Sequence, residues 1–150
     1  MSEIHIRGAR AGDVEPIVAM LADDPLGRSR ESPGDLAPYR AAFERIAADP
    51  GQLLVVAEAG GEIVGTMQLS FIPGLSHRGA VRAQIEAVRV RADRRGGGFG
   101  ATMIKWAIEE ARNRGCAVVQ LTSNVSRERA HAFYQRLGFE QSHKGFKIVL

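Results

Sequence analysis

Apolar residues recur along the first part of the chain with two different spacings. Ile4 and Ile6 alternate with polar neighbours, and this alternation predicts a short strand. From residue 14 to residue 21 the apolar positions fall three or four apart, so they share one face of a helix. Asp13 stands immediately before this stretch and is a candidate for the helix cap. The chain is therefore expected to begin with a strand and an amphipathic helix.

A polar stretch and a hairpin pattern follow. Residues 23–38 are rich in Asp, Pro, Gly, Ser and Arg, which predicts a long loop, and long loops in compact domains are often functional. A second helix is predicted over about residues 36–48. Residues 53–58 and 63–71 form two strand-like runs, and the Gly60–Gly61 pair between them supplies the positive φ of a tight turn.

Strand and helix patterns alternate again in the second half of the chain. Residues 82–91 alternate as a strand does, and residues 100–114 have one apolar face, as a helix ending at Gly115 would. The remaining predicted elements are a strand over 118–121, a helix capped by Ser126, and two short strands at 139–140 and 146–150. The order βααβββαβαββ predicts a mixed α/β sheet in one domain over residues 1–150.

Composition and charge exclude several classes of protein. A length of 150 residues with 45% hydrophobic residues suits one domain with one core. The net charge of +3 is mild and scattered, so it does not indicate nucleic-acid binding. A single cysteine, Cys116, permits no internal disulfide. The N-terminus has no apolar signal core, and the longest apolar run, 53–57, is far too short for a membrane span, so a cytoplasmic protein is expected.

The candidate chemistry begins at a glycine-rich loop, Arg95-Gly96-Gly97-Gly98-Phe99-Gly100. Glycines let backbone N–H groups approach an anion closely, and the helix predicted to start here adds its own unpaired N–H groups and dipole. Arg95 would contribute a charge-assisted contact. The loop is therefore predicted to bind a phosphate or pyrophosphate group.

Two other interpretations of this loop compete. The first is a flexible turn with no ligand. The second is a dinucleotide fingerprint, since Gly96, Gly98 and Ala101 fit G-x-G-x-x-A. Its context is unfavourable, because residues 92–95 are polar and the acidic residue expected about 20 positions later is missing. A nucleoside-triphosphate loop is excluded, because no Gly-Lys-Ser/Thr follows the glycines.

Two segments together resemble the GNAT superfamily of N-acetyltransferases. Residues 90–100, Val-Arg-Ala-Asp-Arg-Arg-Gly-Gly-Gly-Phe-Gly, resemble the acetyl-CoA motif V-x-P-x-x-R/Q-G-x-G-x-G/A, with Ala92 where proline is common. Residues 124–139 resemble the second half of the family domain, with an Asn, a helix containing Ala-x-x-Phe-Tyr, and a Gly-Phe turn. The resemblance implies a mixed, largely antiparallel sheet with splayed strands 4 and 5, flanked by about four helices.

The resemblance also implies a reaction and a set of contacts to its donor. An amine of a small molecule would attack acetyl-CoA directly in a ternary complex, without a covalent enzyme intermediate. The strand before the glycine loop would bind the pantetheine arm through its backbone, and the N–H of Val88 would polarise the thioester carbonyl. The residues that the resemblance assigns to acetyl-CoA are Val88, Arg89, Val90, Arg95, Gly96, Gly97, Gly98, Phe99, Gly100, Ala101, Asn124, Arg129 and Phe133. The valines also fit plain core packing, and Asn124 also fits a turn.

Two residues are candidates for catalysis. Tyr134 matches the family tyrosine that protonates the departing thiolate, although an aromatic residue at this position also fits a core role. Glu86 lies on the strand that leads to the loop, and by alternation it is expected on the same face as Gln84 and Val88. Partial burial would raise the pKa of Glu86 towards that of a useful base. A solvent-facing Glu86 is the equally weighted alternative.

The acceptor is harder to read from the sequence. Segments 23–38 and 71–84 are expected to build its pocket, with Arg28, Phe71, Arg82 and Gln84 as substrate-binding candidates. The arginines suit an anionic group on a small amine.

The four histidines are isolated from other metal-ligand residues, so no metal is expected. The tail, residues 142–147, invites pairing with a partner chain, so a homodimer is expected. A protein N-acetyltransferase and a non-catalytic acyl-CoA sensor remain the alternatives.

Overall fold

The computed structural model describes residues 3–150. Its strands are β1 (Ile4–Gly8), β2 (Gln52–Ala59), β3 (Glu62–Pro73), β4 (Val81–Val90) and β5 (Val118–Leu121). Its longer helices are α1 (Val14–Ala22), α3 (Ala37–Ala48), α5 (Phe99–Asn113) and α6 (Glu128–Arg136). Two four-residue turns, α2 (Gly27–Arg30) and α4 (Ser76–Gly79), lie in the connections between them.

The five strands form one sheet in the order β1-β2-β3-β4-β5. Neighbouring strands from β1 to β4 are antiparallel, whereas β4 and β5 are parallel. A parallel pair requires a long crossover, and α5 supplies it here. The predicted mixed and largely antiparallel sheet is confirmed, as is the hairpin at Gly60–Gly61, where φ is 59° and 80°.

The parallel pair covers only the first part of β4. Residues Arg82–Ile85 pair with Val118–Leu121, and β4 then continues for five more residues to Val90. Because β5 ends at Leu121, the two strands separate beyond Ile85. This is the splay of strands 4 and 5 that the family resemblance implied, and it leaves one edge of β4 uncovered.

The two faces of the sheet are covered differently. On one face, α5 contributes Met103, Ile104 and Ala107 to a core that includes Met67, Leu69 and Ile85 of the sheet. On the other face, α1 buries Val14, Ile17, Val18 and Met20. The neighbouring helix α3 has no fully buried residue. The second face is therefore more loosely covered than the first.

A β-bulge at Ala87 changes the face of the sheet on which each later side chain of β4 lies. Thr66 pairs with Arg89 and Gln68 pairs with Glu86, so Met67 faces two residues, Ala87 and Val88. Ala87 has a φ of 55°, in the left-handed region. Ile85 before the bulge and Val88 and Val90 after it all pack against the α5-side core. The expectation that Glu86 shares a face with Val88 is therefore wrong, because the extra residue breaks the alternation.

Three other local expectations are corrected. Asp13 stands at the N-cap of α1 but makes no capping bond there; its carboxylate pairs with Arg7 at 2.7 Å and accepts the N–H of Arg10. Ser126 does not cap α6, because its N–H and hydroxyl both donate to Oδ1 of Asn124. Residues 139–150 contain no strand, so the two predicted final strands are not formed within the chain.

Candidate active site

The open edge of β4 presents backbone groups that no strand of the described chain pairs. The N–H of Arg91 donates to the carbonyl of Val64 in β3 at 2.8 Å, so alternation directs Val90 and Val88 to the opposite edge. Their carbonyls accept hydrogen bonds from arginine side chains there, Val88 from Nη1 of Arg89 at 2.9 Å and Val90 from Nε of Arg95 at 3.2 Å. This edge of β4 thus faces the cleft between β4 and β5, where the family resemblance predicts a strand-like contact to the pantetheine arm.

The glycine loop opens at the same end of the cleft. Gly96 and Gly98 have φ angles of 83° and 82°, which side chains rarely permit, and no atom lies within 4 Å of the position of a Cβ at either residue. The first helical hydrogen bond of α5 runs from the N–H of Thr102 to the carbonyl of Gly98. The N–H groups of residues 99–101 precede that bond and have no helical partner. The loop therefore has the space and the donors for a pyrophosphate.

The far wall of the cleft is aromatic. Phe133 and Tyr134 of α6 pack edge to face at 5.1 Å between ring centroids, and Tyr134 packs on Phe139 at 5.9 Å. A Cβ on Gly100 would lie 3.4 Å from the Phe133 ring, so Phe133 packs α6 directly against the start of α5. Burial raises the pKa of the Tyr134 phenol above its usual value, while the charges of Arg127 and Arg89 act in the opposite direction. Tyr134 is therefore a protonated donor at neutral pH.

A cluster of charged groups lies beside Tyr134, and we call Asp24, Arg30, Arg89 and Arg127 the arginine cluster. Nε of Arg89 lies 3.0 Å from Oδ2 of Asp24, and the Arg89 side chain is only 10% exposed. Burial raises the pKa of Asp24, but the N–H of Gly27 and the charges of Arg89, Arg127 and Arg30 outweigh it and lower that pKa. Burial and repulsion from the other arginines lower the pKa of Arg89, against the attraction of Asp24. Three cations thus share one carboxylate.

Polar side chains line the same face of the sheet as Arg89. Ser70 contacts Oε1 of Glu86 at 3.3 Å and Oε1 of Gln52 at 3.0 Å, and Gln68 also donates to Gln52. Gln120 of β5 donates to Gln84 across the parallel pair at 3.0 Å. Glu86 is exposed to solvent rather than partly buried, which differs from the burial expected for a base with a raised pKa. The strip therefore presents both hydrogen-bond donors and acceptors to the solvent.

An apolar cavity of about 180 Å³ adjoins this polar strip. It lies between α1, α3 and the sheet and reaches Gln68 and the bulge residue Ala87. Its apolar walls include Ile17, Leu21, Phe43, Ile46 and Leu54. Small-molecule sites typically combine such walls with a few polar groups at one end. The cavity thus has both the apolar walls and the adjoining polar groups that such a site requires.

The remaining predicted residues are distributed unevenly around the cleft. Asn124 uses its side-chain oxygen to hold the turn before α6, so that oxygen is already engaged. Arg129 is exposed on the first turn of α6, and Arg28 is exposed on α2. Phe71 lies on the α5 side of the sheet, with the Arg114 guanidinium stacked on its ring at 4.1 Å. The structure therefore does not bring Phe71 to the polar strip.

Arg82 lies two residues before Gln84 in β4, so both side chains are on the face of the sheet that carries the polar strip. Its Nη1 lies close to Gly74 in the connection before α4, and its Nε is buried without a hydrogen-bond partner in the described chain. In α4, His77 and Arg78 have φ angles of 51° and 61°, so this connection is a left-handed turn. Arg82 thus lies at one end of the polar strip, next to the connection before α4.

Sequence reasoning missed several residues that the structure places at the cleft. They are Asp24, Gln68, Ser70 and Gln120. A signal for two of them was present, because Thr66, Gln68 and Ser70 alternate with apolar residues along β3 and predict a polar face. Asp24 and Arg89 lie in distant segments, so no local pattern could have joined them.

Across residues 3–150 there is no group of three His, Cys, Asp or Glu side chains arranged to hold a metal ion. Within the same residues, no helix combines the length and apolar character needed to traverse a bilayer.

Comparisons with known proteins match this architecture over nearly all of the chain. The model of the acetyltransferase (GNAT) family matches residues 17–139. The aminoalkylphosphonate N-acetyltransferase of Salmonella typhimurium is 30% identical over all of this chain and 94% of that protein. The L-methionine sulfoximine/L-methionine sulfone acetyltransferase of Pseudomonas aeruginosa is 32% identical over 91% of this chain and 80% of that protein.

A solved structure is also similar. A Bacillus halodurans protein described as a transcriptional regulator is 45% identical and superposes with a TM-score of 0.94, over 99% of this chain and 100% of that one. The cleft, the glycine loop and the arginine cluster therefore lie in a fold that is preserved along the whole chain.

Proposed function

Because the chain belongs to the acetyltransferase (GNAT) family and is an N-acetyltransferase, we propose that the cleft between β4 and β5 binds acetyl-CoA and that a small-molecule amine approaches from the polar face of the sheet. One observation carries this proposal. The uncovered edge of β4 and the glycine loop open at the same end of the cleft, so one extended ligand reaches both.

In this proposal each part of the donor has a counterpart in the chain. The pyrophosphate lies on the N–H groups of residues 99–101 and the open positions at Gly96 and Gly98, with Arg95 beside them. The pantetheine arm follows Val88 and Val90, whose carbonyls are now held by arginine side chains that would have to release them. Phe133 forms the wall on the α6 side.

The proposed chemistry needs a neutral amine, a stabilised oxyanion and a proton for the leaving group. When bound, acetyl-CoA supplies the thioester carbon that the amine attacks. The N–H of Val88 lies on the open edge and is available to the carbonyl oxygen. Tyr134 donates its phenolic proton to the departing sulfur, because burial keeps that phenol protonated. Glu86 is exposed, so it removes the amine proton through water on the polar strip rather than as a buried base.

For the acceptor, we propose an amine that also carries an anionic group. The names of both relatives state a small substrate, an aminoalkylphosphonate for one and a methionine derivative for the other. The arginine cluster carries two more positive charges than negative ones and lies beside Tyr134. The anion binds there while the apolar part enters the cavity that adjoins Ala87. We further propose that the protein is cytoplasmic. We also propose that it forms a homodimer, because large apolar side chains near the C-terminus are exposed.

Donor binding is tested at Gly98. Gly98→Asp adds a side chain at positive φ and a negative charge opposite the pyrophosphate, so the Kd for acetyl-CoA should rise about a hundredfold or more. Gly60→Asp is the matched control, since Gly60 also has a positive φ and open space but lies in the distant hairpin. Calorimetry on both variants decides the matter. Unchanged affinity in Gly98→Asp would remove the basis of the proposal.

A second measurement separates an enzyme from an acyl-CoA sensor. Thiol release from acetyl-CoA is followed with aminoalkylphosphonates, methionine sulfoximine, neutral amines and short peptides. Turnover with an anionic small amine supports the proposal, whereas tight acetyl-CoA binding without turnover on any amine would support a sensor. The sensor alternative gains interest from the Bacillus halodurans relative, because that protein is described as a transcriptional regulator.

A further inference from the structure

The apolar face of α3 points into the cavity between α1, α3 and the sheet. Four side chains, spaced three or four residues apart along the helix, line this cavity of about 180 Å³ from one side. They are Tyr39, Ala42, Phe43 and Ile46. None of the residues of α3 is fully buried, so the helix has an apolar face that the sheet covers only in part. An apolar group that enters the cavity therefore gains van der Waals contacts along the whole helix face.

The polar side chains that line the cavity are already hydrogen-bonded. Among the described residues of its wall none is charged, and only Tyr39, Thr66 and Gln68 are polar. The Thr66 hydroxyl donates to a backbone carbonyl of β2 at 2.9 Å, and the Gln68 amide donates to a glutamine of the same strand at 2.8 Å. The Tyr39 hydroxyl accepts the N–H of Ser32 at 2.7 Å. The interior thus suits a group without charge, since a charged group would be costly to bury there.

The volume of the cavity indicates which apolar group fits. An apolar cavity of about 150 Å³ in a protein interior is large enough for a benzene molecule. The cavity of about 180 Å³ therefore has room for one benzene ring and the carbon that joins it to the rest of a ligand. An alkyl chain of equal volume would lose more rotational freedom on entry, because each rotatable bond becomes fixed. A single aromatic ring is thus favoured over a flexible chain.

The mouth of the cavity lies between the two charged groups of the polar strip. Ala87 and Gln68 form this end, and the Ala87 side chain is short and exposed, so it leaves the passage open. Glu86 pairs in register with Gln68, and Arg89 pairs with Thr66, so the two charged residues flank the mouth. An amine at Glu86, an anion at Arg89 and a ring in the cavity therefore start from neighbouring points and belong to one compact molecule.

We infer that the acceptor is an amine that carries an anionic group and one aromatic ring on the same short carbon skeleton, as in an aromatic α-amino acid or its phosphonate counterpart. This inference rests on the proposed function, because it names the acceptor class of that same site. The amine nitrogen forms the new bond to the acetyl carbon, the bond from that carbon to sulfur breaks, and the ring takes no part in the reaction. Ala42, in the middle of the α3 face, determines how large a ring can enter.

The first test is a series of acceptors that differ in the apolar group. Thiol release from acetyl-CoA is measured with α-amino acids and α-aminophosphonates that carry a methyl, isobutyl, benzyl or biphenylmethyl side chain. Both anions are included because the arginine cluster suits either. The value of kcat/KM should rise about thirtyfold or more from methyl to benzyl, the effect of burying an apolar group of this size. It should fall again with biphenylmethyl, because two rings exceed the cavity.

The outcomes of this series separate the inference from the proposed function. A maximum at methyl or isobutyl, or a rate that stays constant along the series, would overturn the inference and leave an N-acetyltransferase of small amines. A lack of turnover with every amine would contradict the proposed function, and the binding measurement described last would then decide about the cavity alone.

The second test narrows the cavity from α3. In Ala42→Phe the added ring occupies the cavity, so the ratio of kcat/KM for the benzyl acceptor to that for the methyl acceptor should fall to about one. Ala41→Phe is the matched control, since Ala41 is exposed and lies outside the lining, and it should keep the wild-type ratio. A thermal melt shows that each variant is folded. A wild-type ratio in folded Ala42→Phe would argue against the cavity as the site of the ring.

The third measurement needs no turnover. Fluorobenzene is followed by fluorine NMR in the presence of the protein without acetyl-CoA, and it should bind to the wild type and to Ala41→Phe but not to Ala42→Phe. Fluorobenzene that does not bind to the wild type, or that binds equally to Ala42→Phe, would overturn the inference. Because this measurement does not involve acetyl transfer, its failure leaves the proposed function standing.

Discussion

Tyr134 is the single side chain on which the proposed chemistry depends most. Replacing it with Phe removes the proton donor but keeps the ring that packs on Phe133 and Phe139. We expect kcat to fall about a hundredfold or more, the usual contribution of a general acid, while the KM for acetyl-CoA changes little. Thiol-release kinetics measure the effect, and a thermal melt confirms that the fold is retained. Unchanged turnover would assign Tyr134 to the core alone.

The same residue predicts a dependence of stability on alkaline pH. Burial raises the pKa of Tyr134 in the folded state, so the folded state favours the protonated phenol. Its contribution is complete below the unfolded pKa of about 10 and is lost as the pH rises through the folded value. Between pH 9 and pH 11, the free energy of unfolding of the wild type should fall more than that of Tyr134→Phe. Parallel urea titrations that fall equally would contradict the buried phenol.

Arg30 and Arg28 provide a matched pair for the acceptor site. Both are exposed on α2, but only Arg30 contributes to the lowered pKa of Asp24 and Arg89. Arg30→Gln should raise the KM for an anionic amine about tenfold, the effect of losing one charge-assisted contact. The KM for a neutral amine and the Kd for acetyl-CoA should stay close to the wild-type values. Arg28→Gln should resemble the wild type throughout, and an equal loss in both variants would argue against the arginine cluster as the anion site.

At the scale of the element, β4 is the strand that organises the site. Its bulge places Val88 and Val90 against the core while Glu86 and Arg89 lie on the opposite face, with the polar strip. Without the extra residue, Arg89 would be turned towards α5 and away from Asp24. In the proposed complex, the bulge therefore separates the backbone that meets the donor from the side chains that meet the acceptor.

The strain in this bulge is open to a direct test. Ala87 has a φ of 55°, where a Cβ is unfavourable by about 1 kcal/mol or more, and its side chain is exposed. Ala87→Gly should therefore leave the free energy of unfolding unchanged or raise it by up to about 1 kcal/mol. Ala83→Gly in the same strand is the control; Ala83 is 1% exposed with an ordinary φ, so its loss should lower that free energy by about 1 kcal/mol. A destabilised Ala87→Gly would mean that the strand does not hold this conformation.

At the scale of the whole molecule, the sequence predicted the features that short-range patterns encode. The β2–β3 hairpin, α5 and the order of the first five strands follow from alternation, helical spacing and paired glycines. The bulge escaped notice because an alanine occupies a position where glycine would have marked the left-handed turn. The Asp24–Arg89 pair joins segments that are distant in the sequence, so no local pattern predicts it. The two strands predicted over 139–140 and 146–150 have no pairing partner within the described chain, and a local pattern does not reveal this.

The connections between the strands also predict the order in which the strands pair during folding. Strands β1 to β4 are joined as antiparallel neighbours, but β5 is added only after the chain has crossed over through α5. Contacts that require longer loops form more slowly, so the β4–β5 pair is expected to close after the β2–β3 and β3–β4 pairs, whose connections are short. The cleft lies at this seam. Acetyl-CoA that spans it would hold both halves together, and at a concentration of one hundred times its Kd it would add about 2.7 kcal/mol to the free energy of unfolding.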